Sequence, residues 1–171
     1  MGARVLADGK TKFTVLTTKP ANPAAPTATE LNAGLDLSLD VLSSDFTFGA
    51  TDSDKVAEKA LGSSGNANAI GASNYSAGFT LWRKFATAGG FDATAETGWA
   101  ALKVKGTTVW AYARQMDKDA SAAWAASDEV YLGAELTTDT PQRTDGTGFI
   151  KYRIPCEVQT GWPFISVATG V

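Results

Sequence analysis

The residues able to do chemistry in this chain are few, and their types narrow the choices quickly. Among 171 residues there is no histidine and one cysteine, Cys156. Without histidine, Ser-His-Asp and Cys-His nucleophile systems cannot be built, and a structural zinc site of Cys and His ligands is excluded. A lone thiol forms no internal disulfide. What remains is carboxylate chemistry, from 18 acidic residues. Asp52-Ser53-Asp54 and Asp117-Lys118-Asp119 each bring two carboxylates close together. A calcium loop needs further oxygen ligands, in the order D-x-[DN]-x-[DN]-G, and neither stretch continues that way. Both read as solvated turn or capping residues. A carboxylate pair for glycoside hydrolysis could be drawn from so many acids, yet no spacing selects one. Gly62-Ser63-Ser64-Gly65-Asn66 has the small residues of an anion cradle but lacks G-x-x-x-x-G-K-[ST] and a following helix, so it reads as a bend. No catalytic, cofactor-binding or metal-binding residue is expected, and the chain does not read as an enzyme.

The other notable side chains point to packing or surfaces. Cys156 falls on the apolar face of a strand and reads as a small core residue. Lys10 with Lys12, and Lys151 with Arg153, read as ordinary solvated faces. A net charge of −3 argues against a dedicated nucleic-acid binder with a basic patch. Trp82 is the best candidate for a surface anchor. With Trp110 it could also serve as a stacking platform in a monomeric β-sandwich that binds carbohydrate or another ligand, the alternative reading of the chain. Charged residues make up 19%, against about 25% in an average soluble domain. That deficit suggests that part of the surface is covered in the working state.

The stretch with the clearest message joins Phe46 and Phe48 to Phe79, Leu81 and Trp82. It holds more than twenty residues without a clean period, longer than the roughly 12–15 residues usual for a connection in a compact domain. Residues Ala60 through Trp82 carry no charge at all, yet include Leu61, Ile70 and Tyr75. Disordered segments are charge-rich and poor in aromatics, whereas interface cores are the reverse. The segment reads as an ordered loop over 49–75, docked either on another protein surface or on its own domain.

The elements that must hold this loop are mostly strands. Residues 3–18 read as one strand or a broken pair around the Asp8-Gly9 turn, with Phe13, Val15 and Thr17 alternating. Three prolines in Lys19–Thr27 make a stiff connector or extended arm. Thr27-Ala28-Thr29-Glu30 fits a capping box, so Ala28 to Ala33 is predicted as a helical turn or two. Leu35, Leu37, Leu39 and Val41 alternate with polar residues as a half-buried strand. Ala77 to Phe85 is a strand. A helix follows, with Thr94 as cap, Trp99 and Leu102 on one face, and Gly106 just past its end. Thr107–Arg114 places Trp110 and Tyr112 on one face and Val109, Ala111 and Ala113 on the other. Glu129–Thr138, with Val130, Leu132, Ala134 and Leu136 on one face, and Phe149–Val158 form a hairpin. Phe164, Ile165 and Val167 add a short last strand. The fold class is mainly β: an antiparallel β-sandwich or open barrel with one flanking α-helix. No apolar run approaches a membrane span, and no secretory h-region opens the chain, so a cytoplasmic place of synthesis is expected.

Four runs carry a resemblance: TATELNAGLDLS (27–38), SDFTFGATDSD (44–54), EKALGSSGNANAIGASNYSAGFTLWR (58–83) and IKYRIPCEVQTG (150–161). In sequence and order they resemble the major tail tube proteins of siphophages that infect actinobacteria, over most of the chain, most specifically from Leu61 to Tyr75. The last predicted strand lies close to residue 171, so the additional Ig-like domain of some tail proteins is not expected within this sequence. The resemblance implies a single tail tube domain over 1–171, with a Pro-rich N-terminal arm or connector (19–27) and an inter-subunit loop (49–75). It implies a structural virion protein, assembled in the bacterial host cytoplasm into hexameric rings that stack as a hollow tail tube. Its implied partners are further copies of itself, the tape-measure protein in the bore, the tail terminator and the baseplate or distal tail proteins. Genomic DNA passes through without specific binding, and no membrane or cofactor is involved. The expected interface residues are Phe46, Phe48, Leu61, Asn66, Asn68, Ile70, Asn74, Tyr75 and Trp82. With about 24 strands spaced about 4.8 Å and tilted about 45°, such a barrel has a bore of roughly 40 Å, wide enough for duplex DNA.

Overall fold

The structure is a computed structural model that describes residues 4–144 and 146–169. Its backbone is one strongly curled antiparallel sheet. In chain order the elements are β1 (Thr11–Leu16), α1 (Ala28–Asn32), β2 (Leu35–Asp36), β3 (Thr47–Thr51), β4 (Lys55–Glu58), β5 (Ala67–Ile70), β6 (Asn74–Trp82), α2 (Thr97–Leu102), β7 (Thr108–Gln115), β8 (Glu129–Thr138), β9 (Gln142–Arg143) and β10 (Lys151–Ser166). The strands lie in the order β2-β1-β7-β8-β10-β6-β3, with β9 on β10, while β4 and β5 pair only with each other.

The sheet curls until its two ends meet at one side chain. Phe13 on β1 sets its ring edge-on to Phe46, Phe79 and Phe48, at centroid separations of 5.0, 5.1 and 5.3 Å. Each such pair adds about 0.5–1.5 kcal/mol beyond burial. The interior continues through Val15, Leu81, Val109, Leu136 and Ile154, all buried. This is the mainly β open barrel that the alternation predicts.

β1 and β7 are buried on both faces. Val109, Ala111 and Ala113 point into the barrel, while Tyr112 packs outside with Leu16, Leu31, Trp124 and Val167. The outer layer comes from α1, residues 117–128 and the Pro-rich segment. Tyr112 donates its hydroxyl hydrogen to the Pro23 carbonyl at 3.0 Å, and Ala168 N–H donates to Pro26 at 2.9 Å. α1 forms as its capping box predicts. Thr27 Oγ1 accepts from Glu30 N–H at 3.2 Å, and the Glu30 carboxylate accepts from Thr27 N–H at 2.8 Å.

Several expectations need correction. Val5 and Leu6 are exposed and outside any strand. The predicted strand Leu35–Val41 stops after Asp36: the Leu37 carbonyl accepts from Asp40 and Val41 in a turn, which leaves Leu39 exposed and returns Val41 to bridge Leu81. α2 begins at Thr97, later than predicted. Asp92, not Thr94, accepts the preceding N–H groups, from Thr94 at 3.1 Å and Ala95 at 3.0 Å. Gly106, at φ 83°, turns the chain into β7 and donates to Thr138. The two predicted C-terminal strands are one 16-residue strand, β10, crossing a register shift between Val158 and Thr160. Val130 packs in the outer cluster, away from Leu132, opposite the stretch where Phe164 takes a left-handed φ of 50°.

The basic residues read as solvated are not all so. Lys12 is buried and pairs with Asp36 while donating to the Ala120 carbonyl at 3.0 Å. Arg153 lies across Gly78, where an added Cβ would come within 2.7 Å of its guanidinium, and pairs with Asp45, which also accepts from Thr80.

Candidate assembly interface

The aperiodic stretch 49–75 is not a loop but an arm. β3 and β6 pair beyond the barrel up to Thr51 and Asn74. Asp54 N–H donates to Ala72 at 2.9 Å and Gly71 N–H to Asp54 at 2.7 Å, which leads straight into the β4–β5 hairpin. Asn74 fastens its base, donating from Nδ2 to the Asp52 carbonyl at 3.1 Å and to Asp54 Oδ1 at 2.9 Å. Every residue of β4 and β5 is exposed. A period of two in sequence arises because one face of a strand is buried. A hairpin with both faces in solvent has no such signature, which is why the sequence shows none here.

The expected interface residues divide into four groups. Leu61, Asn66, Asn68 and Ile70 stand together on the hairpin, with Leu61 and Ile70 almost wholly exposed. Asn74 and Tyr75 form its root, where the Tyr75 ring rests on Gly161 so closely that an added Cβ would sit 2.7 Å from it. Phe48 is a core residue, 6% exposed, and Phe46 is half-buried against Phe13. Those two fix the strand from which the arm leaves, and Phe48 presents almost no surface. Trp82, half-buried, ends β6 at the far end from the hairpin.

A second exposed apolar surface escaped the sequence reading. Phe85, Phe91, Phe149 and Ile150 are 41%, 65%, 81% and 57% exposed. Phe85 and Phe91 bridge a small turn with ring centroids 5.5 Å apart. Arg83 N–H donates to the Ile150 carbonyl at 2.9 Å, so this turn and the segment before β10 lie side by side. Their base is rigid. The Arg83 guanidinium grips Glu96 through two bonds of 2.6 and 2.8 Å and stacks on Trp99 and Phe91 at 4.0 and 4.5 Å. The Arg83 hydrogen bond holds the Glu96 carboxyl below its usual range, against the opposing effect of burial. In the sequence Phe85 and Phe149 fall within predicted strands and Phe91 within no element, and nothing marks them as exposed.

The site offers little chemistry. Among the described residues no group of three or more His, Cys, Asp or Glu could hold a metal ion. Asp117 and Asp119 both face Lys10, at 3.5 and 2.9 Å. Asp54 caps the hairpin root. A trough of about 670 Å³ runs along the barrel seam between Phe13, Leu39 and Phe46. Trp82 and Trp110 lie outside it, and Trp110 is tied to Glu135 at 3.2 Å. Cys156 is buried, and its thiol is pushed up to about 12 by burial first and Glu157 second.

The family model described as phage tail tube protein matches residues 1–170. The chain belongs to the phage tail tube protein family. No match was found among curated proteins or among solved structures. As a tail tube protein it is a structural component of the virion tail, not an enzyme, and membership implies assembly with further copies into a tube. The exposed arm, uncharged from Ala60 onward, is the part of this tail tube protein least suited to life as an isolated subunit.

Proposed function

We propose that this tail tube protein forms hexameric rings that stack into the hollow tail of a long-tailed phage of the siphophage type. The carrying observation is the β4–β5 hairpin: two exposed strands, with Val56, Leu61 and Ile70 in solvent, project from a barrel that gives them no cover. The edge strand β3 supports the same reading, since its outer edge has no partner among the described residues and an open edge favours pairing with another chain. In this reading 1–171 is a single tail tube domain, and Leu61, Asn66, Asn68 and Ile70 lie between subunits with Asn74 and Tyr75 at the root. The bore surrounds the tape-measure protein before ejection and conducts DNA afterwards. The tail terminator and distal tail proteins cap the ends, and assembly takes place in the host cytoplasm. A net acidic chain suits this conduit, because a basic wall would retain phosphates electrostatically.

Negative-stain electron microscopy of the purified chain tests the proposal. Rings or tubes with a central bore of roughly 40 Å are expected. A strictly monomeric species at high concentration would overturn it.

A further inference from the structure

The hairpin and the aromatic patch occupy opposite ends of one strand. β6 leaves the hairpin root at Asn74 and reaches Trp82 eight residues later, at about 3.3 Å per residue a distance of roughly 26 Å. Arg83, Phe85 and Phe91 follow directly, with Phe149 and Ile150 alongside. From Asp52 to Leu61 the arm itself spans roughly 30 Å if extended. A copy displaced along β6 by about one barrel length can therefore lay its hairpin across the patch of the next.

We infer that Phe85, Phe91, Phe149 and Ile150 form the acceptor on which the β4–β5 hairpin of a second copy docks, in the neighbouring layer of the tube. This rests on the assembly reading above and adds to it the surface that receives the arm. The chemistry matches on both sides. The hairpin brings Leu61 and Ile70 from a segment with no charge between Ala60 and Trp82. The acceptor brings three aromatic rings and an isoleucine, and aromatics are the favoured anchors of interface cores. Aromatic side chains carry about 150–250 Å² each, so the patch presents on the order of 400 Å², about half of what one partner contributes to a standard interface. The two surfaces also differ in stiffness. The acceptor is braced by the Arg83–Glu96 pair and by Trp99 against Tyr152 at 5.2 Å, while the hairpin is held only at its root. A rigid acceptor lowers the ordering cost of docking a free-standing arm. The contact is heterologous, one end of a copy against the other end of the next. A heterologous contact closes into a ring only if its rotation returns to the first copy; one that steps along β6 by a barrel length does not, and so extends a stack.

Cysteine cross-linking within assembled tubes tests this. The native Cys156 is buried and does not compete. Leu61→Cys combined with Phe149→Cys should give a ladder of covalent oligomers on a non-reducing gel after mild oxidation. The pair Leu61→Cys with Leu39→Cys, which would report docking in the seam trough instead, should give none. A ladder from the Leu39 pair, or from neither pair in intact tubes, overturns the acceptor while leaving the tube reading standing; wild-type protein that forms no tubes overturns both. As a second test that does not depend on disulfide geometry, Phe149→Ser with Ile150→Ser, whose side chains take no part in the Arg83 clamp, should melt as the wild-type subunit does yet raise the concentration needed for polymerisation about tenfold or more. Polymerisation at the wild-type concentration would overturn the acceptor.

Discussion

At the level of single residues, the charges that matter are those with partners far away in sequence. Glu96 reads as a helix-end carboxylate, and Arg83 as the end of a strand. Only the fold brings them together in a buried pair, each side chain 6% exposed. Arg114 is likewise buried, gripping Asp128 at 2.6 Å and the carbonyls of Ala122 and Ala123 at 2.7 and 2.9 Å, which fastens the connector 117–128. Burial opposes ionisation of Asp128, but the bonds from Lys118 and Ala125 and the charge of Arg114 outweigh it and lower its pKa. Cys156 was legible because its place is set by strand parity alone; these pairs were not, because parity says nothing about a partner on another element. A pH prediction follows from the sign. Glu96 and Asp128 titrate below the unfolded values of about 4, so the unfolded chain takes up their protons first. Their contribution is complete above about pH 5 and is lost as pH falls through the lowered folded values. Urea midpoints for the subunit should therefore hold steady from pH 7 to 5 and drop below it. In Glu96→Ala, which leaves Arg83 buried and unpaired at a cost of about 3–5 kcal/mol, the midpoint should be lower at pH 7 and fall less steeply in acid.

At the level of elements, legibility tracks burial. α1 was readable from its capping box because the cap is a local hydrogen-bond exchange. β7 was readable because its two faces pack into different layers, Ala111 inside and Tyr112 outside. β10 is predicted as two strands, Phe149–Val158 and a short one at Phe164, Ile165 and Val167; the ladder carries on between them through a register shift, and Gly161 is the gap that admits the Tyr75 ring. The hairpin is legible as important through the absence of charge from Ala60 onward, but not as strands. Because β4 and β5 pair only with each other and every residue in them is exposed, removing them should leave the barrel intact. Replacing Lys55–Ile70 with a short Gly-rich turn between Asp54 and Gly71 should keep the circular dichroism spectrum strongly β and the subunit's thermal midpoint close to wild type, while abolishing tubes by microscopy. A large loss of subunit stability would show that the hairpin folds back on its own barrel. Persistence of tubes would remove it from the interface.

For the molecule as a whole, the barrel is complete in itself and the arm is not. The interior closes around Phe13, with both helices and the Pro-rich segment laid on the fold. Much of the exposed apolar surface stands at the two ends of β6, with Val56, Leu61 and Ile70 at one and Phe85, Phe91, Phe149 and Ile150 at the other. In the free subunit the β4–β5 backbone is held by one hairpin ladder with water on all sides, so it should open far more readily than the barrel. Two lysines stand on that hairpin, Lys55 in β4 and Lys59 just after it. Trypsin should therefore nick dissociated subunits at Lys55 and Lys59 within minutes and spare the same bonds in tubes. The ratio of cut to uncut chain, read by mass spectrometry during assembly, becomes a protease-based clock of how many arms have found a seat.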